Sequence, residues 1–197
     1  MKILVIGASG LIGKGVADEL AKKHEVIRAS RSGDVQVDIN DPQSISNMLN
    51  KVGKVDAIAF AAGKVPFKSL NELTREDFVA GLTDKAIGQI DLVLKGVAHL
   101  TDNGSFTLMS GVLAREAIVT GAVAAAANGA IESFVVSAAI ELPRGIRINT
   151  ISPNVLVEAP GYHDYFPGFE QVKLADVIRL YVKSIEGKHT GQVFKLG

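Results

Sequence analysis

Two patterns of hydrophobic and polar positions, one typical of strands and one typical of helices, alternate along the chain. Two short, mainly apolar runs, KILVI at 2–6 and DAIAFAAG at 56–63, lead into or end at glycine, and EVIRAS at 25–30 predicts a further strand. Such runs are typical of strands buried on both faces of a parallel sheet. Between them, LIGKGVADELAKK at 11–23 and PQSISNMLNKV from Pro42 place apolar residues at helical spacing, with Asp41 as an N-cap of the second helix.

The same alternation continues to the last residues. Further strands are predicted at 35–37, 105–111, 146–152 and 192–196, and further helices at 74–81, 84–100, 120–142 and 174–185, while 154–170 predicts a loop. Alternating strands and helices indicate an α/β fold with a three-layer, doubly wound parallel sheet, formed by residues 1–197 as a single domain. In such sheets ligands bind at the carboxyl ends of the strands, where the strand order reverses.

The composition argues against several classes of partner and site. Hydrophobic residues make up 47% of the 197 residues, enough for a substantial core. The 21 basic and 21 acidic residues balance, so no nucleic-acid or membrane partner is expected. Without cysteine there are no disulfides, and no two of the four histidines have metal-ligand spacing, so no metal site is expected. The chain shows no signal peptide or membrane-spanning run, which predicts a cytoplasmic protein.

Glycines in GASGLIG, at positions 7, 10 and 13, follow the first strand and open the first helix. Gly7 permits a sharp turn, Gly10 lets the backbone approach a diphosphate, and Gly13 lets the helix pack close to the sheet. Free amides at the helix N-terminus would then meet the phosphates. The spacing differs from the common G-x-G-x-x-G fingerprint, so an ordinary glycine-rich turn is the alternative.

The end of the second strand bears on the choice of dinucleotide. RASRSG offers Arg28 and Arg31 and no acid until Asp34. An acid there would bind the ribose hydroxyl of NAD, whereas a guanidinium suits the 2′-phosphate of NADP. We therefore expect NADP, with NAD still possible. The alternative is that one or both arginines lie on a solvated surface.

Five stretches, GASGLIG at 7–13, VDIND at 37–41, AAG at 61–63, LMSG at 108–111 and RINTISP at 147–153, occur in an order and spacing that resemble the short-chain dehydrogenase/reductase family. The resemblance implies an NAD(P)-binding Rossmann fold and an oxidoreductase. Together with the glycine turn and the arginine argued above, it gives the expected cofactor-binding residues, which are Gly7, Ser9, Gly10, Leu11, Ile12, Gly13, Arg31, Asp38, Ile39, Ala61, Ala62, Gly63 and Pro153.

The resemblance implies a catalytic role for Ser110, which would donate a hydrogen bond to a substrate carbonyl. The alternative is a strand-end hydroxyl bound to the backbone. The family's Tyr-x-x-x-Lys pair falls on Val123 and Ala127, which carry neither a proton nor a charge. The usual acid is therefore missing from the poly-alanine helix.

Other positions also depart from the family pattern. Lys85 stands where the family has a helical asparagine, so its ammonium could partly replace the missing lysine; the alternative is a solvated head group. Glu158 stands where a threonine usually meets the carboxamide. Tyr162, His163 and Tyr165 lie in the predicted loop, where one of them would supply a proton; the alternative is a lid or dimer contact without a catalytic role.

Two functions follow from these residues. The first is an NADP(H)-dependent oxidoreductase for a small carbonyl or alcohol substrate, with a rearranged proton relay. The alternative is a catalytically degenerate dinucleotide-binding regulator or scaffold. The missing tyrosine and lysine favour the regulator or scaffold, while Ser110 and the glycine loop favour the enzyme. The helix at 120–142, expected to exceed 30 Å, is the one through which relatives pair, which predicts a homodimer or homotetramer.

Overall fold

The computed structural model describes all 197 residues and contains one sheet of seven parallel strands. The strands are β1 (Lys2–Ile6), β2 (Glu25–Ser30), β3 (Val35–Gln36), β4 (Val55–Phe60), β5 (Leu100–Met109), β6 (Arg147–Pro153) and β7 (Gln192–Leu196). Their order is β3-β2-β1-β4-β5-β6-β7, so the strand order reverses between β1 and β4. The predicted doubly wound parallel sheet is confirmed.

Helices cover both faces of the sheet. They are α1 (Leu11–Leu20), α2 (Pro42–Val52), α3 (Arg75–Leu82), α4 (Gly88–Gly96), α5 (Ala122–Ala138) and α6 (Leu174–Glu186). One face of β1 buries Ile3 and Val5 with α1 and α6, and the other buries Leu4 and Ile6 with α2, α4 and α5. None of these helices has the length and apolar character needed to cross a membrane.

Two helix boundaries differ from the sequence-based prediction. The helix expected at 120–142 is α5, whose 17 residues span about 25 Å rather than more than 30 Å. Its end unwinds into tight turns at 139–142 because the residue before Pro143 disfavours the helical backbone. In addition, α3 and α4 are not separate, since a widened helical turn of the π type, Thr83–Ile87, joins them.

A buried glutamine ties α4 to the sheet. β4 stops pairing with β5 at Ala59, opposite Thr107, which leaves the backbone of Met109 without a strand partner on that side. The fully buried Gln89 takes that place: its Nε2 donates to the Met109 carbonyl at 2.9 Å, and its Oε1 accepts from the Met109 amide at 2.9 Å. The side chain thus fixes the distance between α4 and the end of β5.

Replacing this amide should destabilise the fold. Gln89→Met keeps the length of the side chain but leaves two buried backbone groups of Met109 unpaired, and we expect the free energy of unfolding to fall by about 2–3 kcal/mol. Urea denaturation measures it. The matched control is Gln43→Met on the exposed face of α2, which should change stability by less than about 0.5 kcal/mol. Equal stabilities for the two variants would contradict this account.

Candidate functional site

The turn between β1 and α1 brings three backbone segments into contact. Gly7 has φ +82°, and a Cβ there would lie 2.4 Å from the carbonyl oxygen of Ala61. A Cβ on Gly13 would lie 2.1 Å from the carbonyl oxygen of Gly7. Both distances are far below van der Waals contact, so any larger residue would push β1, α1 and the end of β4 apart.

The N-terminus of α1 carries unpaired hydrogen-bond donors. Gly10 is its N-cap and supplies no side-chain cap, and the first turn contains no acidic residue. The backbone amides of Leu11, Ile12 and Gly13 have no acceptor within the protein. Because the helix dipole adds partial positive charge at this end, the turn fits the diphosphate of a dinucleotide.

A first cavity of about 330 Å³ lies beside this turn, at the carboxyl ends of β1, β2 and β4. The predicted cofactor residues that line it are Gly7, Ser9, Gly10, Arg31, Asp38, Ile39, Ala61, Ala62 and Gly63. Leu11, Ile12 and Gly13 contribute the amides just described and are not part of its wall. Pro153 lines a different, second cavity. The first cavity therefore lies where the strand order reverses.

Six residues in this wall were not predicted from the sequence: Ile6, Ser30, Val37, Asn40, Lys64 and Asp84. The Asp84 carboxylate accepts hydrogen bonds from Asn40 Nδ2 at 3.1 Å and from the backbone amide of Lys64 at 2.9 Å. This link joins the loops after β3 and β4 to the turn before α4. No local pattern marks it, because its members lie far apart in the chain.

The two arginines of β2 and its following loop have different environments. Arg28 donates to the carboxylate of Asp18 on α1 at 2.8 Å, which holds the pKa of that carboxyl below its usual range. Arg31 lines the first cavity, is exposed, and has no ion-pair partner. The solvated-surface alternative therefore describes Arg28, whereas Arg31 is placed to contact a ligand.

A second cavity of about 350 Å³ adjoins the first, and the two share Gly63 and Lys64. Most of its lining is apolar or aromatic: Val65, Phe67, Val112, Leu113, Ala124, Val155, Leu156, Ala159, Tyr162 and Phe166. The polar side chains in its wall are Lys64, Lys85, Asn128 and Asn154. No aspartate or glutamate lines it, so its charge is positive.

Lys85 lies in the widened turn between α3 and α4 and lines this second cavity. Burial lowers its pKa to about 8. No carboxylate lies within ion-pair distance of its ammonium, and no hydrogen-bond partner compensates it. A lysine in this environment exchanges its proton near neutral pH, as a general acid must.

The register predicted for the catalytic helix is off by one residue. Val123 and Ala127 are fully buried and do not line the cavity; Val123 packs against Gly81 of α3. The α5 residues that line it are Ala124 and Asn128, four residues apart on one face. The tyrosine position of the family motif therefore corresponds to Ala124, and the lysine position to an asparagine.

Ser110 does not face the second cavity. It is 3% exposed, and its hydroxyl donates to Glu132 on α5 at 2.8 Å, with a longer contact to the Ile151 carbonyl at 3.3 Å. Ser152 donates to the same Glu132 oxygen at 2.7 Å, and Arg115 donates to Ser152 at 2.8 Å. The serine is thus engaged in a buried network that joins β5, β6 and α5, which departs from the arrangement that the resemblance implied.

The segment over the second cavity forms a helical turn at Pro160–Tyr165. Tyr162 lines the cavity, whereas Tyr165 is exposed and its ring lies 5.1 Å from that of Phe67. His163 donates from Nε2 to the carbonyl of Leu156 at 2.8 Å. The carboxylate of Glu158 accepts from the first amide of α6, at Leu174, so it caps that helix rather than facing the cavity.

Comparison with known proteins agrees with this architecture. A family model described as enoyl-(acyl carrier protein) reductase matches residues 6–178. The hydroxynaphthalene reductase-like protein Arp2 of Metarhizium brunneum is 30% identical in an alignment of length 176 that covers 76% of this chain and 66% of Arp2. The chain thus matches slightly less than two thirds of the length of this curated relative.

Two solved structures share the whole fold. The protein lin1944 from Listeria innocua is 52% identical, with a TM-score of 0.97 over 99% of this chain and 98% of its own. A small-chain dehydrogenase solved in complex with NADPH is 25% identical, with a TM-score of 0.87 over 99% of this chain and 95% of its own. With this fold, these relatives and a glycine turn built for a dinucleotide, the chain belongs to the short-chain dehydrogenase/reductase family.

Proposed function

We propose that the protein is an NADP(H)-dependent oxidoreductase that acts on a small, largely apolar carbonyl or alcohol substrate. The observation that carries the proposal is the juxtaposition of the two cavities: one has the unpaired amides and the free Arg31, and the other holds Lys85 in apolar surroundings. They meet at Gly63 and Lys64, where a cofactor and a substrate would come into contact.

The first cavity would hold the cofactor through backbone and side-chain groups. The α1 amides would bind the diphosphate, Asp38 and Ile39 would flank the adenine, and Arg31 would bind the 2′-phosphate. An NADPH complex of a relative with 25% identity supports NADP over NAD. When bound, the reduced cofactor supplies a hydride to the carbonyl carbon of the substrate.

Lys85 would supply the proton. As the carbonyl carbon gains the hydride, the electron pair of the C=O bond moves onto the oxygen, which takes a proton from the Lys85 ammonium and leaves a neutral amine and an alcohol. The lowered pKa of Lys85 makes this transfer easier, since burial already disfavours the ammonium. A tyrosine is therefore not needed at position 124 for the charge balance.

The walls of the second cavity favour a substrate with an apolar, aromatic body. Phe67, Tyr162 and Phe166 form one side of it. The curated relative described as hydroxynaphthalene reductase-like supports aromatic ketones and quinones as the first compounds to test. The free amides of α1 and the unpaired Lys85 in the wall of the second cavity favour the enzyme over the degenerate dinucleotide-binding regulator or scaffold.

We also propose that the protein forms a homodimer or homotetramer. Large apolar side chains are exposed on α4, on α5 and in the turns beside them: Ile87 (51%), Leu94 (68%), Val136 (55%) and Ile140 (87%). Contact between two copies would remove this apolar area from water.

The cofactor preference is tested at Arg31. Removing the guanidinium with Arg31→Ala should weaken NADPH binding about 10- to 100-fold, because a charge-assisted hydrogen bond is worth about 1.5–3 kcal/mol, and should leave NADH binding almost unchanged. Calorimetric titration measures both. Arg28→Ala is the matched control, since Arg28 already pairs with Asp18. Equal losses for NADPH and NADH would contradict a 2′-phosphate contact.

The proton relay is tested by the pH dependence of carbonyl reduction, followed as NADPH oxidation. The ammonium of Lys85 is the donor, so kcat should fall as the pH rises through about 8. Lys85→Met should lower kcat by about 10²- to 10⁴-fold and abolish this step. Lys188→Met, at an exposed lysine without a partner, is the control.

The lowered pKa of Lys85 can also be tested without a substrate, through the pH dependence of stability. Its pKa is about 8 in the folded protein and 10.5 when free, so the unfolded chain binds more protons between these values. The stability of the wild type should therefore rise with pH across that window. Lys85→Met should unfold at a higher temperature than the wild type at pH 7 and lack this rise. A less stable Lys85→Met would mean that the lysine is structural.

Self-association is tested at two of the exposed apolar residues. Leu94→Glu with Val136→Glu would place charges in the proposed contact, so sedimentation velocity should show a monomer for this double variant and a dimer or tetramer for the wild type. Leu70→Glu, at a residue that is 80% exposed elsewhere on the surface, is the control. A monomeric wild type would refute the proposed assembly.

A further inference from the structure

Asn128 is a buried polar residue without a partner. Its side chain is on α5, the residue is 2% exposed, and its Oδ1 is fully enclosed with no hydrogen bond. Its Nδ2 makes no hydrogen bond within the protein, and the residue borders the second cavity. Buried amides in folded proteins are nearly always hydrogen-bonded, and an unpaired one costs about 1–3 kcal/mol. A ligand acceptor in the cavity would pair with the Nδ2 donor, while the enclosed Oδ1 would stay unpaired.

The space in front of this amide is the second cavity. Asn128 lines it, and Ala124, one turn earlier on the same face, leaves room with its small methyl group. Gly111 borders the other side: a Cβ there would lie only 3.2 Å from Asn128 Nδ2, so the glycine keeps the amide accessible. The helical turn that carries Lys85 packs against α5 and brings a second donor to the same cavity.

The Ser110 hydroxyl, at the end of β5, is not a free donor. The Ser110 hydroxyl donates a hydrogen bond to Glu132, which also accepts one from Ser152. Turning the Ser110 hydroxyl toward the cavity would break this partly buried network. The Asn154 Oδ1 accepts from the Val155 amide, but its Nδ2 makes no hydrogen bond within the protein. Of the two free side-chain amides in the wall, Asn128 is the one on the cavity-lining face of α5, one turn after Ala124.

We propose that the Asn128 amide donates a hydrogen bond to the substrate oxygen, which is the role that the resemblance gave to Ser110. The cavity accordingly accepts neutral or anionic apolar carbonyl compounds and excludes cationic ones. Lys64 and Lys85 line the cavity and no acid does, so a cationic substrate would meet only like charge. The inference rests on the proposed function, since it assigns a residue and a substrate charge to the same reaction.

A binding experiment tests this without turnover. In ¹⁵N-labelled protein saturated with NADP⁺, the side-chain amide resonance of Asn128 is identified by its loss in Asn128→Leu. Benzoate, an inert oxyanion on an aromatic ring, should shift this resonance, and benzyltrimethylammonium should not. No shift with benzoate, or an equal shift with both compounds, would overturn the proposal.

A kinetic experiment separates this role from a structural one. On any ketone or quinone that the wild type reduces, Asn128→Leu should lower kcat/KM about 10²- to 10³-fold, the usual loss for one oxyanion donor. The Kd for NADPH should stay within about twofold, and the variant should be at least as stable as the wild type because an unpaired polar group is removed. Asn50→Leu, on the exposed face of α2, is the control.

The outcomes keep the two proposals apart. A wild type that binds neither reduced coenzyme refutes the proposed function itself, whereas one that binds NADPH but shows no benzoate-induced shift refutes only the role of Asn128. A larger loss of kcat/KM in Ser110→Ala than in Asn128→Leu would return the donor role to the serine. A marked loss of stability in Asn128→Leu would show that the asparagine is structural.

Discussion

The site depends on the close approach of three backbone segments, with Gly7 lying between Gly13 of α1 and Ala61 at the end of β4. A Cβ on Gly13 would come within 2.1 Å of the Gly7 carbonyl, and a Cβ on Gly7 within 2.4 Å of the Ala61 carbonyl. Only glycine permits this approach. Because the contact holds the N-terminus of α1 against the point where the strand order reverses, the free amides and the first cavity exist only while it is kept.

The second cavity is unusual in what it leaves unpaired. Lys85 and Asn128 both lie in mainly apolar surroundings without a protein partner, although each such group lowers stability. Some polar side chains of the core are bonded: Gln89 binds both backbone groups of Met109, and Tyr181 donates to the Phe60 carbonyl at 2.6 Å. Others, the buried hydroxyls of Ser105 and Thr150, make no hydrogen bond. Lys85 and Asn128 differ from those hydroxyls because they border a cavity, which supports a ligand site.

The active-site serine and the Tyr-x-x-x-Lys positions of the family all differ in this chain from the usual arrangement. The serine that usually faces the substrate is held by Glu132, and the two motif positions on α5 carry a methyl group and an amide. The charge lost from α5 is present on the neighbouring turn as Lys85, which α4 positions through Gln89. In the proposed reaction, Lys85 and Asn128 would donate to one substrate oxygen from two sides of the cavity.

Much of this molecule is determined locally. The apolar runs gave β1, β2 and β7 with their observed bounds, and the glycine spacing marked the diphosphate turn, because buried strands and positive-φ turns impose their pattern on adjacent residues. The identity of Lys85 as a candidate also came from the sequence. The tertiary structure alone decided which face of α5 meets the cavity, that Ser110 binds Glu132, and that Arg28 pairs with Asp18 while Arg31 is free. These facts depend on contacts between residues far apart in the chain, and a register error of one residue turns a helical side chain by about 100°, which no local pattern can detect.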